Sequence, residues 1–169
     1  MLLKPLRMAA QAFALKMSPR RMAAGLALGT AVGMVPKGNL TSVVLMTLLC
    51  ALRINLAAGL FAVFVVSIIA SFADPLFHEI GHALLTAESF QETWTWFFNR
   101  PLAAWTDLNN TVVMGSLIVG LASIYPVYRG CRPICERYVP VISEKVRKWK
   151  IVMWLAGASV TDRMSAASE

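Results

Sequence analysis

Charged residues are scarce in this sequence. They make up 15% of the 169 residues, and hydrophobic residues make up 57%, whereas soluble domains carry about 25% charged residues. The stretch from Leu56 to Ala73 contains no charge at all, and its length suits a helix that crosses a bilayer. This composition excludes an ordinary soluble domain and predicts an integral membrane protein.

Cysteine and histidine are also rare, with three cysteines and two histidines in the chain. Cys50 lies in an apolar run, and Cys131 and Cys135 lie in a basic segment expected in the reducing cytoplasm, so no disulfide framework is predicted. A C-x-x-x-C pair supplies too few ligands for tetrahedral zinc. We therefore predict no metal site at the cysteines and no cofactor.

Basic residues are distributed unevenly along the chain. Of the 16 lysines and arginines, five lie in residues 4–21 and seven in residues 129–150, whereas residues 74–110 hold one base against five acids. This asymmetry predicts a multi-pass protein of the inner (cytoplasmic) membrane with both termini in the cytoplasm. Attraction to anionic phospholipids accounts for the net charge of +7, so we predict no nucleic-acid partner.

The length allows one helical membrane domain, predicted to be all-α and polytopic over residues 1–160. It combines a broken or re-entrant hairpin with two full transmembrane crossings and interfacial amphipathic helices. The predicted segments are an interfacial helix at 4–16, the hairpin at 19–52, a crossing at 55–73, a periplasmic and interfacial stretch at 76–110, a crossing at 111–128, a cytoplasmic basic segment at 129–160 and a disordered tail at 161–169.

The hairpin is predicted because "PKGN", residues 36–39, separates two apolar runs that are too short to cross. As helices, roughly 17 residues span about 25 Å and roughly 13 span about 20 Å, whereas the hydrocarbon core is about 30 Å thick. Lys37 in the turn would also be costly in lipid. A hairpin that enters from the cytoplasm, turns inside the protein and returns satisfies both constraints, and four full crossings are the alternative topology.

The first helix of this hairpin carries two ridges of small residues. They are formed by Gly25, Gly29 and Gly33 and by Ala23, Ala27 and Ala31. An offset of two residues places the ridges about 200° apart around the helix. Because small residues let neighbouring helices approach closely, we predict that these six residues pack this helix between two neighbours.

The turn of the hairpin is the favoured site. An interrupted membrane segment is a sequence pointer to a binding site, and a helix N-terminus capped by Asn39 beside the Lys37 ammonium would attract an anion. We predict that Lys37, Asn39 and Arg53 bind the headgroup of an anionic lipid or an acidic partner residue. In the alternative, Lys37 reaches out to water and the segment is only a turn.

The stretch "HEIGH", residues 78–82, fits the H-E-x-x-H pattern of zinc proteases, in which two histidines bind the metal and Glu79 activates water. A third ligand is missing from the sequence pattern. The helix is expected to continue past Leu85, which turns Glu88 away from His82, and Asp107 is a candidate at the wrong spacing. We therefore predict no catalytic residue and no metal ligand here, with the zinc protease kept as an alternative.

The residues that follow favour an interfacial interpretation of this stretch. Five aromatic side chains lie close together in the chain: Trp94, Trp96, Phe97, Phe98 and Trp105. Such residues are enriched where a protein meets the headgroup layer of a membrane. Histidines and a glutamate on the wet face of an interfacial helix need no metal to explain them.

Residues 18–39, "SPRRMAAGLALGTAVGMVPKGN", resemble the signature of a bacterial inner-membrane family that is known only as a domain of unknown function. The likeness continues through "ADPLFHEIGHALLT", residues 73–86, and "NNTVVMGSLIVGL", residues 109–121. The H-E-x-x-H pattern is not a hallmark of this family. Members of the most similar subgroup are often encoded beside a large protein that bridges the envelope and moves lipid, so the resemblance implies this location and such a partner.

Three functions are compatible with the sequence. The favoured one is a non-enzymatic component of envelope lipid transport or assembly that works with a larger periplasm-spanning protein. The alternatives are a zinc-dependent membrane protease and a small transporter, and a homo-oligomer formed through the glycine ridge is left open. The transporter has little support, because Ser67, Ser71, Ser116 and Ser123 are the main polar groups of the crossings and are expected to hydrogen-bond locally.

Overall fold

A computed structural model of the chain describes residues 18–147, with side chains as far as Pro140. The helices are α1 (Pro19–Met34), α2 (Leu40–Ala51), α3 (Leu56–Ala70), α4 (Asp74–Thr86), a 3₁₀ turn (Glu88–Phe90), α5 (Gln91–Phe98), α6 (Ala103–Thr106) and α7 (Thr111–Arg147). No strand occurs among these residues. The predicted all-α class is confirmed.

Three of the predicted segments reach beyond this range. The interfacial helix at 4–16 and the tail at 161–169 lie outside the described residues, as does the part of the basic segment that follows Arg147. Residues 21–132 form one compact unit that contains all the candidate site residues, and the described residues 133–147 belong to a second unit.

The predicted hairpin segment forms two helices, α1 of 16 residues and α2 of 12. Pro19 starts α1, where its missing N–H is harmless and its fixed φ suits a helix. The chain leaves α1 before Pro36, and Gly38 adopts a φ of 101° in the turn, a left-handed conformation that glycine adopts without strain. Asn39 then starts α2 as its N-cap.

The helix within the predicted crossing at 55–73 is shorter than the crossing itself and is followed by a sharp bend. The helix α3 has 15 residues and stops at Ala70, and α4 leaves at an angle of 87°. Pro75 contributes to the break, because it has no N–H to donate to the carbonyl of Ser71 and so cannot continue the hydrogen-bond ladder of α3, whereas it is tolerated in the first turn of α4. At about 22 Å, α3 alone is shorter than the hydrocarbon core.

The helix α7 contains the predicted crossing at 111–128 and continues into the predicted basic segment as far as Arg147. By length and composition, its stretch Thr111–Pro140 is the one helix within the described residues that could cross a membrane. A second candidate span exists if α3 and α4 count as one broken helix.

The core of residues 21–132 is formed by four helices, α1, α2, α3 and α7. Its buried apolar side chains are Leu28, Val32, Val35, Leu45, Leu49, Val63 and Val113. Val35 directly follows α1 and the other six lie within the four helices, so the end of α1 packs into this core.

Candidate functional site

The glycine ridge of α1 lies against α3. A Cβ on Gly25 would collide with the carbonyl oxygen of Asn55, and a Cβ on Gly29 would collide with that of Gly59. At Gly33 the added atom would lie 3.1 Å from a backbone carbonyl of α3. The two helix backbones therefore touch, and no larger residue would allow this approach.

The alanine ridge faces a different neighbour. Ala23, Ala27 and Ala31 are almost completely buried, at 0–1% exposure. A Cβ added to Gly120 of α7 would lie 3.0 Å from the carbonyl oxygen of Ala31. The helix α1 thus lies between α3 on its glycine side and α7 on its alanine side.

Lys37 caps the C-terminus of α1. Its Nζ donates to the carbonyl oxygens of Val32 at 2.8 Å and Val35 at 2.6 Å, and lies 3.5 Å from that of Gly33. The hydroxyl of Ser67 in α3 donates to the same Gly33 oxygen at 3.1 Å. A cation at this position satisfies carbonyls that lack helical partners and complements the negative end of the helix dipole.

Asn39 also has local backbone partners. Its Oδ1 accepts from the amide of Ser42 at 2.8 Å, and its Nδ2 donates to the carbonyl of Pro36 at 3.1 Å. Arg53 is exposed and follows the other end of α2, about 18 Å along the helix axis from Asn39. The structure does not bring the three anion-site candidates together, and the anion site stays a prediction.

The glycine within "HEIGH" is a contact between helices. A Cβ on Gly81 of α4 would collide with the carbonyl oxygen of Thr111, and a Cβ on Gly115 of α7 would collide with that of Phe77. Phe77 is buried at 3% exposure beside this crossing. The crossing explains why a glycine stands at position 81 without reference to a metal.

The two histidines lie together on the exposed side of α4. Their ring centroids are 5.9 Å apart with an interplanar angle of 38°. The Nδ1 atom of His78 forms a 2.6 Å hydrogen bond with the Oγ1 atom of Thr111 at the start of α7. Glu79, the base of the protease hypothesis, is exposed as well.

The two candidates for a third metal ligand, Glu88 and Asp107, do not form a metal-binding cluster with His78 and His82 in the structure. The helix α4 ends at Thr86 instead of continuing, so Glu88 lies on the separate 3₁₀ turn. Asp107 adopts a left-handed φ of 58° after α6, where its carbonyl accepts from the amide of Asn110. No three histidine, cysteine or acidic side chains within the described part of the chain are arranged to hold a metal together.

One set of aromatic residues ties α5 to α4. Phe90, Trp94 and Phe98 form a row with ring centroids 6.2 and 6.1 Å apart. The indole Nε1 of Trp94 donates to the carbonyl oxygen of Leu84 at 3.2 Å, which satisfies one of the last carbonyls of α4. This row fixes the position of α5.

A second set of large side chains points away from the protein. Trp96 is 61% exposed and carries the guanidinium of Arg100 above its ring, 4.4 Å from the centroid. Leu102 and Trp105 are exposed by 67% and 74%. These four residues, Trp96, Arg100, Leu102 and Trp105, form what we term the aromatic shelf.

Large apolar side chains also cover the outer faces of α2 and α3. They are Val43, Val44, Leu48, Leu56, Leu60, Phe61, Phe64, Ile68 and Ile69, with Phe72 following at the break. We term this set the apolar face. Single exposed apolar residues are ordinary, whereas a set of this size is typical of a surface that binds a partner protein or a membrane.

Sequence reasoning missed four close-contact glycines, Gly59, Gly81, Gly115 and Gly120. The available signal was that each stands inside an apolar or amphipathic helix, where glycine lowers helix stability and usually has a packing reason. Their partners could not be read from the sequence, because the contacts join helices that are distant along the chain.

Within the described residues the chain is helical, its helices meet through small residues, and the outer faces of α2 and α3 are apolar. The chain belongs to the family described as "uncharacterized protein conserved in bacteria", DUF2062, whose model matches residues 6–141. The resemblance to a bacterial domain-of-unknown-function family is thereby confirmed. No curated protein and no solved structure matches the chain.

Proposed function

We propose that this protein is a multi-pass component of the bacterial inner membrane, with both termini in the cytoplasm. In this proposal α1 and α2 form a re-entrant hairpin, residues 55–73 (which contain α3) and α7 provide the crossings, and α4 lies at the outer interface. The apolar face carries the proposal. Phe64 is 68% exposed and Phe72 is 84% exposed, and burying one such side chain is worth about 1.5–3 kcal/mol, which a bilayer would supply.

The polar groups of the hairpin support its insertion. A bilayer core offers no water to backbone or charged groups, so each must find a partner inside the protein. The Lys37 ammonium bonds to carbonyls at the end of α1, and Asn39 satisfies the start of α2. A turn closed in this way can enter a membrane at lower cost than a bare lysine.

The serines of the proposed crossings favour a component without a transport pathway of its own. Ser67 donates to Gly33, Ser71 to Ser67, Ser116 to Val113 and Ser123 to Gly120, each through its hydroxyl to a backbone carbonyl. Hydroxyls that bond to their own helix or its neighbour form no chain of exchangeable groups across the protein. The described parts of the crossings thus offer few free polar groups from which a small transporter could build a transport pathway.

We propose further that the protein acts without catalysis in envelope lipid transport or assembly, together with a larger periplasm-spanning partner. The support is the resemblance of residues 18–39 to members of a bacterial membrane family that are often encoded beside such proteins. The bilayer would contact the apolar face, and the aromatic shelf would lie at the outer headgroup layer, near the partner.

Membrane topology is the first test of this proposal. Alkaline carbonate extraction should leave the protein in the membrane pellet. In a cysteine-free background, a cysteine at Gln91 should react with an impermeant maleimide in intact cells, whereas a cysteine at Arg129 should react only after lysis. Release by carbonate, or the reverse labelling pattern, would contradict the proposed topology.

The functional test is deletion of the gene. Cells without the protein should admit large hydrophilic antibiotics and detergents that the outer membrane normally excludes, and the wild-type chain should restore the barrier. Cross-linking from a photoreactive residue at Trp105 should capture one large envelope protein. An intact barrier after deletion, with the protein shown to be expressed in the parent strain, would contradict the role in the envelope.

A further inference from the structure

His78 and His82 present their rings side by side on one face of α4. They are separated by one helical turn, about 40° apart around the axis, and both side chains are exposed. They are also the only histidines in the chain. A pair of imidazoles at this spacing can bind one metal ion from a single helix.

The ring separation is close to that of a chelating pair. With metal–nitrogen bonds of about 2.0–2.1 Å, two imidazoles on a tetrahedral ion have ring centroids roughly 5 Å apart. The observed distance between the two ring centroids is 5.9 Å. Small rotations of two exposed side chains close this difference without moving the backbone.

Thr111 orients one of the two rings. Its Oγ1 lies 2.6 Å from Nδ1 of His78, and when Nδ1–H donates to this oxygen, the unprotonated Nε2 is left to bind a metal. The position of Thr111 is itself fixed, because its carbonyl oxygen packs against Gly81, between the two histidines in the chain. The helix crossing therefore holds the orienting hydroxyl beside His78.

We propose that His78 and His82 bind a late first-row divalent metal ion through their Nε2 atoms, with Thr111 as the positioning residue. Imidazole suits nickel, copper and zinc. Two protein ligands leave coordination positions for water or for a side chain from a partner. This site requires neither proteolysis nor the proposed role in lipid transport.

Nickel binding to the detergent-purified full-length chain tests the site, provided that the affinity tag contains no histidine. Calorimetry should show one Ni²⁺ per chain, and electron paramagnetic resonance of the Cu²⁺ form should show two imidazole nitrogens. His78→Ala and His82→Ala should each weaken binding by at least the roughly tenfold loss expected from removing an orienting partner. Both side chains are exposed, and circular dichroism should confirm that the variants remain folded.

Thr111→Val tests whether Thr111 positions His78 for metal binding or whether the two imidazoles bind metal without an orienting partner. It should weaken Ni²⁺ binding by about tenfold or more, whereas Thr95→Val, at an exposed threonine of α5, should leave the affinity unchanged. Equal affinity in the wild type and His82→Ala, or a copper spectrum without two imidazole nitrogens, would overturn the site. Equal affinity in the wild type and Thr111→Val would overturn the positioning role.

Discussion

Gly81 and Gly115 face each other where α4 crosses α7, and a Cβ added to Gly115 would lie 3.0 Å from the amide nitrogen of Gly81. The same atom would collide with the carbonyl oxygen of Phe77. The crossing is therefore a backbone-to-backbone contact on the buried side of the "HEIGH" segment. The two histidines occupy the exposed side, so packing explains the glycine and leaves the imidazoles accessible.

This crossing predicts a strong difference between two glycines of α7. Gly115→Ala should lower the free energy of unfolding by about 1–3 kcal/mol, because an added methyl group forces the backbones apart. Gly130→Ala is the matched control, since nothing lies within 4 Å of its added Cβ, and it should raise stability by about 0.5–1 kcal/mol. Thermal unfolding in detergent, followed by circular dichroism, measures both, and equal stability of the two variants would contradict the close crossing.

Lys37 is predicted to act first as a helix cap. Lys37→Ala should lower the free energy of unfolding by about 0.3–1 kcal/mol, because the last carbonyls of α1 lose their cation. Arg53→Ala, at an exposed position after α2, should have little effect. Thermal unfolding of the two variants in detergent makes this comparison.

The same variants test the anion-site hypothesis by mass spectrometry of co-purified phospholipid. If the predicted anion site forms, Lys37→Ala should retain less anionic lipid than the wild type does. Unchanged co-purified lipid would contradict the anion site and would leave Lys37 as a cap whose ammonium bonds to backbone carbonyls.

The aromatic shelf is predicted to lie at the depth of the lipid headgroups. In vesicles, spin labels near the headgroup should quench tryptophan fluorescence more strongly than labels near the end of the acyl chain. In a chain with Trp149 and Trp154 already replaced by phenylalanine, replacing Trp96 and Trp105 as well should remove most of this difference, whereas Trp94→Phe should have less effect because Trp94 is held against α4. Stronger quenching by the deep labels would place the segment inside the hydrocarbon core.

A substitution at Glu79 tests whether the protein acts without catalysis or as a protease. Glu79→Gln keeps the size of an exposed side chain and removes the base that a zinc protease of this pattern would need. We expect the variant to restore the envelope barrier of the deletion strain as well as the wild type does. Failure to restore it, with normal amounts of protein in the membrane, would favour the protease alternative.

Local chemistry explains what could be predicted along the hairpin. Pro19 starts α1, Pro36 follows its end and Asn39 caps α2, because each effect depends on only a few neighbouring residues. The bend after Ala70 had an equally local signal in Pro75, yet the apolar run to Ala73 outweighed it in the prediction. The hydrophobicity of a segment indicates its affinity for lipid, but it does not indicate where a helix within that segment ends.

The sequence by itself determined the helical class, the family signature and the small-residue ridges of α1, because periodicity and residue size act within one helix. Only the tertiary structure decided that the glycine ridge meets α3, that Ala31 meets Gly120, and that Gly81 brings His78 to Thr111. Those pairs are far apart in the chain, and their contacts exist only after the helices pack. The partners of Lys37 are local instead, since its ammonium bonds to the carbonyls of Val32 and Val35, five and two residues earlier in the chain, and a charge in an apolar turn takes the nearest acceptors.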